Sequence, residues 1–368
     1  MTTLMKIERD ELLKPLQTVT SVVAKKGATM PILSNVLIEN KGGQLSITGT
    51  DLEMEIVALG MQVEAENFRL TVNAKKLEDI LKALNRNTDI ALEQNQQQLT
   101  LKAGKGRYKL QMLSPDDFPV MHTESVVSCF SIKQDKLRSL LLQVQYAMAK
   151  EDIRFYLKGV LIQVQGNQLN LVSTDGHRLA CTQVDIDADL PANEIIVPSK
   201  TVLELIKILS FPDEFVTVDL MDHQVRFTTK DAVIISKIMD GKYPDYKRVI
   251  PQDHKNIFQL SRTAFLEAIE RVSVFADEKH NSIRLDIHPG EMIIRSISKD
   301  QETAEETIEI AYQGDTLEIG FNFRYLTDVL RTLHSEDVRM ACGNSGQSVL
   351  MTVPDDEHFK YVIMPMKA

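Results

Sequence analysis

Three stretches of the chain place apolar residues at i, i+3, i+4 and i+7: Leu77, Ile80, Leu81 and Leu84; Val202, Leu205, Ile206 and Leu209; Leu326, Val329, Leu330 and Leu333. This spacing predicts three helices, each with one apolar face. They belong to a longer echo. The segments that open at Val72, Val197 and Phe321 are separated by steps of 125 and 124 residues. A lag of that length is a whole domain, not a short solenoid unit. Each copy also opens with a short strand and an apolar helix, Ile7 to Val19, Ile132 to Val144 and Leu260 to Val272, with Leu12, Leu137 and Phe265 in register, and Leu16, Leu141 and Ile269 one turn later.

Between the two helices of each copy the periodicity changes to two, which predicts strands. Asn35 to Ile38 and Gln44 to Ile47 flank Gly42-Gly43; Gly159 to Ile162 and Gln168 to Leu171 flank Gly166-Asn167; Ser282 to Leu285 and Glu291 to Ile294 flank Pro289-Gly290. The glycine-containing pairs read as turns. Two helices among many strands is an α+β layout, an antiparallel sheet with both helices on one face. The polar links near Ser125–Cys129 and Gln252–Asn256 predict three tandem domains, 1–127, 128–255 and 256–368.

Charge sharpens this picture. The 368 residues carry a net charge of −10, which opposes bulk attraction to nucleic acid. Yet in each second helix two basic residues stand opposite the apolar face: Lys75 and Lys82, Lys200 and Lys207, Arg324 and Arg331. Seven residues is two turns, so each pair lies roughly 10 Å apart on one line. Two readings stand. Asp79, Glu204 and Asp328 can pair with them along the helix for a few tenths of a kcal/mol each, giving an ordinary solvated face. Alternatively, the six sites form a shared surface toward a polyanion, contacting its backbone without reading sequence. Lys25-Lys26, Lys150 and Lys279 follow the first helices, where a helix C-terminus favours cations.

Catalytic and metal chemistry find little support. Thr174-Asp175-Gly176-His177-Arg178-Leu179 is the most enzyme-like string, but it lacks a nucleophile partner and reads first as an Asp-Gly turn with His177-Arg178 on a surface loop. The acidic run from Asp300 to Glu306 lacks calcium-loop spacing, and the three cysteines are too far apart for a zinc site. An odd, scattered cysteine set fits a reducing cytoplasm, and there is neither a signal-peptide h-region nor a membrane-length apolar run. Met364-Pro365-Met366, past a last predicted strand over Tyr361 to Ile363, suits an adaptable binding surface.

Thr29-Met30-Pro31-Ile32-Leu33, Gly49-Thr50-Asp51-Leu52-Glu53, Thr174 to Leu179, Pro244-Asp245-Tyr246-Lys247-Arg248-Val249 and Met364-Pro365-Met366, in this order over three repeats, are specific. On these motifs the chain resembles, end to end, the bacterial DNA sliding clamps, the beta subunits of the replicative DNA polymerase III holoenzyme. The resemblance implies a head-to-tail homodimeric ring of six like domains around duplex DNA, helices inside and sheets outside. It implies no enzymatic activity and no cofactor, and partners that include the polymerase and the clamp loader. A peptide-binding pocket would use Leu157, Thr174, Gly176, His177, Arg178, Leu179, Pro244, Arg248, Val249, Ser348, Val362, Ile363, Met364, Pro365 and Met366. Gly346 stands where a relative has an apolar residue, which widens this groove, and Lys367-Ala368 replace a common Arg-Leu end. DNA contacts carry over to Lys75, Lys76, Lys200 and Tyr156, with Lys25 or Lys26 taking the place of a loop arginine. Phe155 and Glu151 depart from a tyrosine and an amide, which weakens DNA contact there. The subunit interface would bring Lys76, Lys105, Arg107 and Tyr108 to Asp300, Glu302, Glu305 and Glu306, with Val274 and Phe275 between.

Overall fold

The computed structural model describes residues 2–24, 30–277, 279–298, 300–354 and 356–366. The first third runs β1 (Thr2–Glu8), α1 (Arg9–Thr20), β2 (Asn35–Lys41), β3 (Gln44–Thr50), β4 (Met54–Gln62), β5 (Phe68–Asn73), α2 (Ala74–Ala83), β6 (Asp89–Asn95), β7 (Gln98–Ala103) and β8 (Gly106–Gln111). The middle third runs β9 (Ser128–Lys133), α3 (Gln134–Gln145), β10 (Gly159–Thr174), β11 (Arg178–Pro198), α4 (Ser199–Ile208), β12 (Phe215–Leu220), β13 (Gln224–Thr228) and β14 (Ala232–Lys237). The last third repeats the first: β15 (Asn256–Ser261), α5 (Arg262–Ser273), β16 (Ser282–His288), β17 (Glu291–Ile297), β18 (Thr303–Glu309), β19 (Leu317–Asn322), α6 (Phe323–Thr332), β20 (Asp337–Cys342), β21 (Val349–Val353) and β22 (Asp356–Ile363).

The helices form where the sequence starts and stops them. The Asn73 side chain accepts the Lys76 N–H and the Asn322 side chain accepts the Arg324 N–H, capping α2 and α6 at equivalent places. At their far ends, the Arg9 side chain donates to the Leu81 carbonyl and the Arg262 side chain to the Leu330 carbonyl, so in the first and last repeats the first residue of the first helix caps the end of the second. Leu84, Leu209 and Leu333 fall one residue past the ends of α2, α4 and α6 and so extend the apolar faces beyond the helices themselves. The corresponding core positions Leu12, Leu137 and Phe265, and Leu16, Leu141 and Ile269, are all buried.

These elements gather into two compact units, 1–136 with 203–238 and 137–202 with 239–368. The first holds a four-stranded sheet, β1-β6-β7-β8, and an eight-stranded sheet, β5-β2-β3-β4-β14-β13-β12-β9. The second holds a six-stranded sheet, β10-β11-β22-β21-β20-β15, and a four-stranded sheet, β18-β17-β16-β19. The middle third therefore gives strands to both. In the first unit β14 pairs with β4 from Ala232↔Ala58 to Ser236↔Met54. In the second, β11 pairs with β22 from Arg178↔Ile363 to Cys181↔Lys360.

One element differs from expectation. The two strands predicted around Gly166-Asn167 are one strand, β10, whose register against β11 breaks on both sides of Gly166. Gly166 keeps the left-handed backbone that a turn needs, at φ +60°, but strand pairing continues through it.

Candidate functional site

The second unit carries its candidate site on a repeated turn. Thr174 donates its hydroxyl to the Arg178 carbonyl and accepts the Gly176 N–H, while one Asp175 oxygen accepts the N–H groups of His177 and Arg178. This Thr-Asp turn ties its own backbone and holds Gly176 at φ +87°. Leu157, Leu179 and Val362 are buried together with Leu161, Val172, Cys181, Ile196, Tyr243 and Tyr246, so they form the apolar floor. Burial pushes the Cys181 thiol up to about 11 and the Tyr246 hydroxyl up to about 12, so both stay neutral. Around this floor stand exposed residues: Gly176, His177, Pro244, Arg248, Val249 and Met364.

The C-terminal segment is fastened at two points. The Met364 N–H donates to the His177 carbonyl at 2.9 Å, and the Met366 N–H donates to the Gly320 carbonyl of β19 at 2.8 Å. Met364-Pro365-Met366 therefore bridges from the turn to a sheet edge, with Pro365 at the one position that needs no donor. Lys367 and Ala368 lie outside the described residues.

Arg178 departs from its expected place on a surface loop. Its side chain is only 6% exposed. It bonds Asp175 at 3.0 Å, Asp328 of α6 at 2.7 Å and the Tyr146 carbonyl, and its guanidinium lies 4.4 Å from the Tyr325 ring centre and 5.7 Å from that of Tyr146. Two carboxylates and two ring faces offset the cost of burying a cation. Asp328, expected to pair along its own helix, is thus engaged by Arg178. Ile363 is likewise interior: it sits in the ladder between Arg178 and Val349. Arg178 and Ile363 are thus interior, Leu179 and Val362 belong to the buried apolar cluster, and Met364 is exposed beside it.

Ser348 is half-buried, and its carbonyl meets His254 Nε2 at 2.7 Å. A side chain at Gly346 would meet nothing within 4 Å, so this exposed turn leaves room. Arg154 was not legible as a site residue. It pairs with Asp152 at 2.9 Å, and its guanidinium lies 2.9 Å from where a Cβ on Gly176 would stand, so it borders the turn. The only sequence signal was an acid-base pair two residues apart.

On the second helices the local pairing expected of a solvated face is present. Lys75 meets Asp79 at 2.8 Å, Lys82 meets Glu78 at 2.5 Å, Lys207 meets Glu204 at 2.8 Å, and Arg331 meets Glu270 of α5 at 2.8 Å. All four cations remain exposed, as do Lys76, Lys200 and Arg324. Lys150 and Lys279 lie several residues beyond α3 and α5, too far to serve the helix dipole as expected. Lys25 and Lys26 lie outside the described residues. Exposed Phe155 is covered by Lys158 Nζ at 5.1 Å, and Tyr156 packs half-buried against the buried apolar cluster.

Among the strands that end a sheet, β8 and β18 carry opposite charge. β8 ends the four-stranded sheet of the first unit and presents Arg107, Tyr108 and Lys109 to solvent, just after Lys105. β18 ends the four-stranded sheet of the second unit, with Glu302 before it and Glu305 exposed. Val274, 79% exposed, and Phe275, 37% exposed, follow α5. Glu305 and Glu306 already bond Arg295 and Arg271.

Three like repeats, each with two helices among antiparallel strands, define a protein of the clamp class. Family profiles of the DNA polymerase III beta subunit match in order: the N-terminal domain over residues 3–122, the central domain over 131–245 and the C-terminal domain over 247–367. The beta sliding clamp of Pseudomonas aeruginosa PAO1 is 41% identical over 365 residues, covering 98% of this chain and 99% of the relative. That of Escherichia coli K12 is 36% identical over 362 residues, at the same coverage. A crystal structure of the P. aeruginosa DNA polymerase sliding clamp with ligand superposes with a TM-score of 0.95 at 41% identity, covering all of both chains. The chain belongs to the DNA polymerase III beta-subunit family, and it is a DNA sliding clamp, a processivity factor without catalytic activity of its own.

Proposed function

We propose that two copies of the chain join head to tail into a ring around duplex DNA, and that the ring tethers the replicative polymerase, the clamp loader and other partners through the groove. What carries this reading is the opposite charge of two sheet-terminal strands on one chain, β8 with Lys105, Arg107 and Lys109, and β18 with Glu302, Glu305 and Glu306. Edges left open in a monomer invite pairing, and a heterologous contact closes into a ring when its rotation permits. Lys76, Tyr108, Val274, Phe275 and Asp300 complete this interface. The domain limits we assign, 1–127, 128–255 and 256–368, fall where β9 begins at Ser128 and β15 at Asn256.

The basic faces of α2, α4 and α6 serve the DNA. Lys75, Lys82, Lys200, Lys207, Arg324 and Arg331 would meet phosphates, assisted by Lys25, Lys26, Lys76, Lys150 and Tyr156. The exposed pairs Lys75–Asp79 and Arg331–Glu270 contribute only tenths of a kcal/mol, so these two cations exchange carboxylates for phosphates at little cost, whereas Lys82 and Lys207 also hold the buried carboxylates of Glu78 and Glu204. Topological linkage needs no tighter hold, which suits a chain of net charge −10. The apolar floor with polar rim fits an extended peptide with apolar anchors. The compartment is the cytoplasm; among the described residues no helix is long and apolar enough to cross a membrane.

The test is retention on circular and linearised DNA after loading at moderate salt. The ring stays on circles and runs off free ends; equal loss from both overturns the encircling reading. Replacing Lys82, Lys207 and Arg331 together by Glu should abolish loading; normal loading and processivity would overturn the role given to the basic faces.

A further inference from the structure

The open edge strand β18 is ordered by its backbone. Seven ladder pairs join it to β17, from Glu291↔Glu309 to Ile297↔Thr303. Neighbouring residues on a strand point to opposite faces, so Glu305 and Glu306 are presented on two sides. Each is taken by an arginine of the same unit. Glu306 accepts two bonds from Arg271 of α5, at 2.6 and 2.8 Å, and this fork holds its carboxyl below the ordinary value. Glu305 accepts from Arg295 of β17 at 2.6 Å, and Arg295 also bonds Asp286 at 2.8 Å. The acidic edge is therefore partly neutralised before any partner arrives.

We propose that Arg271 and Arg295 limit the strength of the subunit contact, by neutralising within one copy the carboxylates that the basic edge of a second copy meets. This rests on the head-to-tail dimer argued above. Two effects of the arginines compete. They could help association by fixing the carboxylates, or hinder it by cancelling charge. Because the seven-pair ladder orders the strand without them, the second effect prevails. Each arginine removed adds one negative charge to a surface that attracts Lys105, Arg107 and Lys109 of the other copy, and complementary charge acts chiefly on encounter rate and its salt dependence. A ring that encloses a closed circle of DNA has to open to admit it, so a contact held below its possible strength is a working property.

The experiment measures dimer dissociation and subunit exchange of the full chain in four variants: Arg271→Gln, Arg295→Gln, Arg271→Lys and Tyr108→Pro. Arg271→Gln and Arg295→Gln should each tighten the dimer about three- to tenfold at low salt, with the gain vanishing near 1 M salt, where screening acts beyond about 3 Å. Arg271→Lys, which keeps the charge but not the fork, should stay near the parent. Weaker or unchanged dimers for the glutamine variants, or equal effects of lysine and glutamine at position 271, overturn the proposal. Tyr108→Pro, which blocks the β8 edge, separates the two levels. If that variant stays dimeric, the interface reading itself has failed. If it becomes monomeric while Arg271→Gln weakens the dimer, only the role of the arginines has.

Discussion

The chain builds the same turn twice and uses it differently. In the first unit Thr50 donates to the Met54 carbonyl and accepts the Leu52 N–H, and an Asp51 oxygen accepts the N–H groups of Glu53 and Met54. Thr174 and Asp175 repeat every one of these bonds in the second unit. The next strand is anchored alike too: the Lys237 N–H meets the Glu53 carbonyl at 2.9 Å, as the Met364 N–H meets that of His177. What differs is the side chains. Met54 and Glu55 stand where Arg178 and Leu179 stand. Buried Glu55 accepts the Met121 N–H at 2.9 Å, and Gln224 donates to the His122 carbonyl at 3.0 Å, so the segment after Phe118-Pro119 is pinned down. In the second copy an apolar Leu179 leaves the corresponding segment, after Tyr243-Pro244, to fold into a short 3-10 turn with an exposed rim. A shared backbone thus carries a pinned segment in one place and an exposed rim in the other, with different residues after the turn.

Exchanging those residues tests the comparison. Arg178→Met installs the residue of the first copy and should cost about 3–5 kcal/mol, because Asp175, Asp328 and the Tyr146 carbonyl lose a buried donor together; chemical denaturation reads this directly. An unchanged midpoint would show that the guanidinium is dispensable. Leu179→Glu puts a carboxylate in the apolar floor with no Met121-like donor expected beneath it. It should weaken binding of a clamp-binding peptide by two orders of magnitude or more, roughly 3 kcal/mol for an unpaired buried polar group, measurable by fluorescence anisotropy.

The reverse change, Glu55→Gln, probes the pinned segment and has a pH signature. Burial raises the Glu55 carboxyl above its usual 4.5 despite the opposing Met121 bond. A raised acid binds more protons folded than unfolded, so its contribution is complete below pH 4.5 and is lost as pH rises through the folded value. The parent should therefore lose stability relative to Glu55→Gln as pH rises through that window, which denaturation midpoints taken at a series of pH values would follow. A constant difference between the two across the same range would place Glu55 in a solvent-like setting. The smallest effect is expected at the left-handed position. Gly176→Ala faces φ +87° and the Arg154 guanidinium at 2.9 Å, so it should cost about 1 kcal/mol, whereas Leu52→Ala, where the φ is already +76°, should change stability by less than about half of that.

Much of this was legible in the sequence, for a physical reason. The internal echo reports core positions, and Leu12, Leu137 and Phe265 are in register because three like cores need an apolar residue there. The Asp175-Gly176 turn is local, satisfied within four residues, so its letters suffice. Arg178 was misplaced because its burial depends on Tyr146, Tyr325 and Asp328, which lie 32 to 150 residues away; an isolated Gly-His-Arg string reads as solvent-exposed. Asp328 was misassigned for the same reason, since a helix wheel shows only neighbours on its own helix. Glu55 gave no signal at all: one acidic residue in a strand looks like an outward-facing one until Met121 is folded over it.

The division of the middle third between two sheets bears on modularity. Strands β12 to β14 complete a sheet begun by β2 to β5, and β10 and β11 complete one finished by β20 to β22. A fragment cut at residue 127 would leave β4 with a bare ladder edge over Met54 to Ala58, and one starting at 256 would bare β22 in the same way. Such fragments invite edge-to-edge aggregation. The repeats are therefore not interchangeable cassettes. Grafting a domain from a relative should succeed at a seam that keeps β4 with β14 and β11 with β22, and a chimera joined at the repeat boundaries has to match both ladders.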